Sequence, residues 1–217
     1  YVRDLGVQAP WRYVDVLGLD EELLAFVPQP VHALILLFPT TDTYNEFCKN
    51  EAEVRKDEKV SSNVVLYRQT IANACGTMGV LHSIANNWGY NESLKLKENS
   101  IMDNFLKRSL HLSTPEERAA VLEEDKSFAG VHEVHASTGQ TETPNLQDEV
   151  NLHFVCLIER DGSLYELDGN KKTPINHGTT TKDTFLIDAI KIAQVFMSRD
   201  PDNINFSVIA ATTAEDD

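Results

Sequence analysis

Three side chains far apart in the chain have the types and settings that thiol chemistry needs. Cys75 lies in QTIANACGTMGVLHSIANN, residues 69–87, which reads as a loop running into a helix with the cysteine in its first turn. The unpaired N–H groups and the dipole at a helix start favour a thiolate, the reactive form of cysteine. Gln69, six residues upstream, carries an amide that could donate to a developing oxyanion. A cysteine by itself says little, because most free cysteines are small buried hydrophobes, so the case rests on its partners.

His153 has such a partner. Residues 152–159 and 163–167 read as two strands joined at Asp161-Gly162, a strong hairpin signal. A two-residue turn there sets Arg160 opposite Ser163, Val155 opposite Asp168 and His153 opposite Asn170. His153 and Asp168 then become diagonal neighbours on one face of the ribbon, within reach of a side-chain hydrogen bond. A general base and its orienting carboxylate need that arrangement. A three-residue turn without a bulge would put the two on opposite faces. Cys156 falls on the other face and reads as core.

The remaining histidines read as structural. His82 follows Cys75 by seven positions, about 10 Å along a helix, too far to take its proton. His132 and His135 form HEVH, which lacks the four-residue spacing of a zinc helix. With no paired cysteines at ligand spacing, no metal site is expected. His32 and His111 stand alone.

These groups need elements to carry them. The reading predicts short strands at 11–16 and 64–67, the second delivering Gln69, and a strand buried on both faces at 31–38, VHALILLF. Helices are predicted at 19–26, within 43–60, from Cys75, at 100–110, from Thr114 to about 124, on to about 134, and at 183–198. Thr114, Pro115 and Glu117 spell an N-cap, a proline at the first helical position and a capping box. Strands at 173–176 and 205–211 complete the set. The polar stretch 136–148 reads as an exposed loop, long enough to act as a lid or filter. Strands and helices interleave without βαβ regularity. The class is therefore α+β around a mostly antiparallel sheet.

The chain has 217 residues, 41% of them hydrophobic, enough for one core and one domain spanning 1–217. No apolar run approaches a membrane span. Three cysteines without framework spacing point to reduced thiols and a cytoplasmic home. A net charge of −15 excludes the basic stripe that nucleic-acid binding needs and favours a basic partner.

Three stretches, QTIANACGTMGVLHSIANN, NLHFVCLIERDGSLYELDG and PINHG, closely resemble signatures of the ubiquitin C-terminal hydrolases, a family of cysteine peptidases. The likeness continues through VDV, ELLAFVPQPVHALILLFP, PEERAAVLE, GQTETP and RDPDNINFSVIA; the length suits the short single-domain members, and the motifs most resemble those of the isozyme L-three type. The resemblance implies roles. Cys75 is the nucleophile, His153 the general base and acid, Asp168 its orienting residue and Gln69 the oxyanion donor. It implies a papain-like fold with a knotted backbone, a crossover loop around Gly139 and Gln140 that touches substrate, and a further substrate contact at Asp15. It implies no cofactor, a monomer, ubiquitin as partner with Nedd8 as a related one, and a leading segment ahead of Tyr1. The alternative is a ubiquitin-binding module without turnover. Where the family often reads LDGRK, this chain has Asn170.

Overall fold

The computed structural model describes residues 1–55, 58–70, 74–128, 130–131 and 152–214. The elements are β1 (Arg12–Asp15), α1 (Glu21–Leu24), β2 (Val31–Pro39), α2 (Asp42–Val54), α3 (Cys75–Asn87), α4 (Ile101–Ser109), α5 (Pro115–Glu124), β3 (Leu152–Arg160), β4 (Ser163–Leu167), β5 (Ile175–Thr179), α6 (Phe185–Ser198) and β6 (Ser207–Thr212). The described strands form one sheet in the order β1-β6-β2-β3-β4-β5, and every pairing is antiparallel.

Alternation along the two central strands builds two cores. Ala33 and Ile35 of β2, with Cys156 and Ile158 of β3, face a layer containing Met78, Leu81 and Ile84 of α3, Phe105 of α4 and Leu122 of α5. Leu34, Leu36 and Phe38, with Val155 and Leu157, face the other way, against Tyr44 of α2 and Phe185, Ala189, Ile190 and Phe196 of α6. A strand covered on both sides has no polar face to offer, which is why VHALILLF is almost unbroken in apolar character.

Several helix starts are fixed locally. Ser100 accepts from the Asp103 N–H, and Thr114 and Glu117 form the expected reciprocal capping box. The helix predicted over 19–26 is the shorter α1, capped by Asp20. The strand predicted at 173–176 lies slightly later, as β5. Residues 126–128 and 130–131 are helical, in line with the helix predicted to reach 134; its last residues and the whole loop 136–148 lie outside the described residues.

One expected strand is not in the sheet. Residues 64–67 pair with no strand, and side chains of α3 and α5 satisfy their backbone instead. The Val65 N–H donates to Asn86 Oδ1 at 2.7 Å, and Asn86 Nδ2 donates back to the Val65 carbonyl at 2.8 Å. The Tyr67 N–H donates to His82 Nε2 at 3.1 Å, and Arg118 Nε donates to the Leu66 carbonyl at 2.9 Å. Buried backbone groups must be paired with something, and here the amide and imidazole one helical turn apart on α3 act as the adjacent strand. Burial pulls the His82 imidazolium down to about 4, so the ring is neutral and fit for this purpose.

Candidate active site

Cys75 is the first residue of α3 and is half-buried. Ala74 occupies the N-cap position and supplies no side-chain cap. The first-turn N–H groups around the sulfur are thereby left for a thiolate or an oxyanion. Small residues let α3 lie close on the sheet. A Cβ on Gly79 would sit 3.0 Å from Ile35 Cγ2, and one on Gly76 would sit 3.5 Å from the Phe154 ring.

The hairpin has the register that the sequence implied. Asp161 and Gly162 both take positive φ, 53° and 76°, as a two-residue type I′ turn requires. Ser61 Oγ and Asn63 Nδ2 donate to the Asp161 carboxylate at 2.5 and 3.0 Å. Arg160 pairs with Ser163, and the ladder runs to Cys156 opposite Leu167. One step further sets Val155 opposite Asp168 and leaves His153 diagonal to it. The two side chains meet: His153 Nε2 lies 2.7 Å from Asp168 Oδ1, with the histidine 5% and the aspartate 2% exposed.

With Nε2 donating to the carboxylate, Nδ1 is the nitrogen left for Cys75, whose thiol is in hydrogen-bonding contact with the ring. Burial alone would pull the His153 imidazolium down. The hydrogen bond and charge of Asp168, and then those of Cys75, outweigh burial and push it up to about 9. The ring is therefore positioned beside the sulfur of Cys75, and Asp168 favours its charged form. The thiol comes from the helix layer on one face of the sheet, and the imidazole–carboxylate pair from the other. They join at the end of the β3–β4 ladder.

Asp168 is held by more than the histidine. Its Oδ1 also accepts the Asn170 N–H at 2.8 Å, closing a tight turn in which the Lys171 N–H donates to the Asp168 carbonyl at 3.0 Å. Its Oδ2 accepts the Tyr44 hydroxyl of α2 at 3.2 Å. Gln69 arrives through backbone, its N–H donating to the Gly169 carbonyl at 2.9 Å. A Cβ on Gly169 would lie 2.8 Å from Gln69 Cβ and 3.1 Å from its backbone nitrogen, so only glycine permits this approach.

Asp15 is exposed at the end of β1. Gly139 and Gln140, like His132 and His135, lie outside the described residues. Sequence reasoning missed the part played by α2. It also missed the buried ion pairs of Lys171 with Glu51 and Glu166, each at 2.6 Å, and the contact of His177 with Glu166 at 2.9 Å. Glu166 precedes Asp168 by two, so the period of a strand puts both carboxylates on one face. That was a legible signal for a second buried acid.

The profile described as ubiquitin carboxyl-terminal hydrolase, family 1, matches residues 1–198. A Drosophila melanogaster ubiquitin carboxyl-terminal hydrolase is 40% identical over 217 residues, covering 99% of this chain and 92% of that protein. The human isozyme L1 of the same enzyme is 41% identical over 210 residues, covering 97% and 91%. The catalytic domain of Trichinella spiralis UCH37, solved bound to ubiquitin vinyl methyl ester, superposes with a TM-score of 0.75 at 21% identity, covering 99% of this chain and 89% of that one; it supports the fold. A thiol at an uncapped helix start, an imidazole tied to a carboxylate across a hairpin and a profile match over nearly the whole length place the chain in family 1 of the ubiquitin carboxyl-terminal hydrolases.

Proposed function

We propose that the chain is a cysteine-type deubiquitinase that cleaves esters, small amides and short peptide extensions following the C-terminal glycine of ubiquitin. The observation that carries this reading is the His153 ring, bonded on one side to Asp168 at 2.7 Å and in contact on the other with Cys75. His153 takes the Cys75 proton and the sulfur attacks the glycine carbonyl. Gln69 and the first N–H groups of α3 hold the oxyanion, an effect of roughly 3–4 kcal/mol per donor in comparable sites. As the carbon–sulfur bond forms and the scissile bond breaks, His153 protonates the leaving group. It then takes a proton from water, which attacks the thioester and frees ubiquitin and Cys75.

The acidic surface, net −15, suits a substrate with a basic tail. Asp15 is a candidate contact for that tail, and Gly139 and Gln140 are candidates for the loop that limits the size of the leaving group. Nedd8 is the related protein whose C-terminus the same cleft would take. The three free thiols, Cys48, Cys75 and Cys156, fit a reducing compartment such as the cytoplasm. Among the described residues, no helix is long and apolar enough to cross a membrane.

An electrophilic ubiquitin probe tests the reading. Ubiquitin ending in a vinyl ester should label one residue, Cys75, as located by peptide mass. Excess Nedd8 should slow the labelling if both proteins share the cleft. Reversible binding with no adduct would instead favour a non-catalytic ubiquitin-binding module.

Gly169→Ala separates the oxyanion donor from the carboxylate without substituting either residue. The added methyl must push the Gln69 backbone away, since the nearest atom is a Cβ rather than a mobile tip. The expected result is a fall in kcat of roughly tenfold, part of the 10²–10³ that full loss of such a donor costs. Steady-state hydrolysis of a ubiquitin C-terminal ester measures it.

A further inference from the structure

We propose that Tyr44 is a positioning residue for the reaction: its hydroxyl anchors one oxygen of Asp168 so that the other stays aimed at His153. The inference rests on the reading of Cys75, His153 and Asp168 as the catalytic set.

A carboxylate turns easily about its terminal bond, and a base is useful only in the orientation its partner fixes. The two oxygens of Asp168 are used differently. Oδ1 takes the His153 ring at 2.7 Å and the Asn170 N–H at 2.8 Å. Oδ2 takes the Tyr44 hydroxyl at 3.2 Å, its only donor among the described residues. With the carboxylate 2% exposed, water is a poor substitute for a lost donor. Without Tyr44, Oδ2 becomes a buried acceptor with nothing to accept, and rotation of the carboxylate toward other donors is favoured at the expense of the bond to His153.

Tyr44 is itself held in place. Its ring packs edge-on against Phe38 at 4.8 Å and lies 6.2 Å from Phe196. Phe38 also meets the His153 ring edge-on at 5.8 Å. One aromatic side chain thus contacts both side chains that hydrogen-bond Asp168. Burial pushes the Tyr44 phenol well up, so it remains a donor at every pH where His153 titrates. On the same face of α2, Cys48 contacts the hydroxyl one turn on. Glu51, two turns on, is locked to Lys171 at 2.6 Å, and Lys171 is locked to Glu166 of β4. That bridge fixes α2 against the strand that carries the catalytic carboxylate. The spacing of Tyr44, Cys48 and Glu51 is one helical stripe, and it reaches the site only because α2 docks beside β4.

Tyr44→Phe keeps the ring and removes the hydroxyl. The readouts are kcat and KM for a ubiquitin C-terminal ester and the descending limb of kcat/KM against pH, which reports His153 in the free enzyme. Two changes are expected together. The kcat should fall about tenfold, the scale of one hydrogen bond to a charged group, with KM unchanged. The descending limb should move to lower pH, because a carboxylate that turns away no longer holds the imidazolium. A limb that stays or moves up, or an unchanged kcat, overturns the proposal. So does a loss of kcat explained by a lowered melting temperature with the limb in place. If the phenylalanine variant does not fold, Tyr44→Met fills the same apolar slot with a more adaptable side chain and is read by the same two criteria. Wild-type turnover of the ester tests the catalytic reading itself, so the two failures are distinguishable.

Discussion

Cys75→Ala should abolish turnover of a ubiquitin C-terminal ester while ubiquitin binding remains measurable. In the proposed mechanism the sulfur forms the acyl intermediate, and neither of the other two thiols is placed to replace it. Cys156 is fully buried in the core on the α3 side of the sheet, and burial pushes its thiol far up. Cys48 lies beside Tyr44 on α2, and burial raises its thiol as well. Losing a nucleophile in a comparable hydrolase lowers kcat by about 10⁶, so residual activity should fall below detection. The fold should survive. Cys75 is only half-buried, and alanine suits the first turn of a helix at least as well. Calorimetric titration with ubiquitin reads the retained binding. Cys156→Ala should keep its turnover while losing some stability. Sustained ester hydrolysis by Cys75→Ala would remove the nucleophile assignment and the mechanism built on it.

The second large effect belongs to Asp168→Asn. The amide can present its N–H to His153 Nε2, which favours the tautomer with the proton on Nδ1, the nitrogen that must receive the proton of Cys75. A similar exchange in a serine triad lowers kcat about 10⁴-fold, and a loss of that order is expected here. The pH dependence gives the sign. In the wild type, His153 is pushed up from 6.5 to about 9. Hydrolysis should therefore fall as pH rises through about 9 and the general acid is lost. In the variant, the main source of that upward push is gone and only Cys75 still opposes burial, so the descending limb moves to lower pH. Stability follows the same linkage. A group whose folded value is raised stabilises the fold fully below its unfolded value and loses that contribution as pH rises through the folded one. For His153, the contribution is complete below about 6.5 and gone above about 9. The difference in denaturation midpoint between wild type and Asp168→Asn should therefore be larger at pH 6 than at pH 9.5. A difference that grows with pH would show that His153 is not charged in the folded protein.

Much of the catalytic geometry follows from short-range rules. Asp161-Gly162 can form a tight turn with two positive φ values, and period-two alternation then decides which side chains share a face. His153 and Asp168 are paired within a stretch of sixteen residues. The apolar spacing of residues 78, 81, 84 and 85 sets the buried side of α3 and puts Cys75 at its open end. Thr114, Pro115 and Glu117 start α5 by local hydrogen bonds alone. Each of these signals acts over a few residues and needs no knowledge of what packs against what.

The stretch 64–67 shows where such rules stop. Its β-branched and aromatic residues read as a strand, yet its backbone bonds go to Asn86, His82 and Arg118. Propensity favours a strand but does not fix the identity of the partner. Tyr44 was invisible for a similar reason. It lies 124 residues from Asp168, in a helix whose charged sequence looks merely solvated, and its hydroxyl matters only once α2 is clamped to β4 through Lys171.

By itself, then, the sequence determined the hairpin register, the helix start that bears the sulfur and the class of chemistry, because turn angles, side-chain periodicity and end-capping are settled within a turn or two of chain. Only the tertiary structure decided that the thiol and the imidazole meet from opposite faces of the sheet, that Gly169 lets Gln69 approach the carboxylate, and that a tyrosine from a third element holds its second oxygen. Those contacts join segments distant in sequence, and they form only when buried polar groups must find donors in whichever element the two cores have brought alongside.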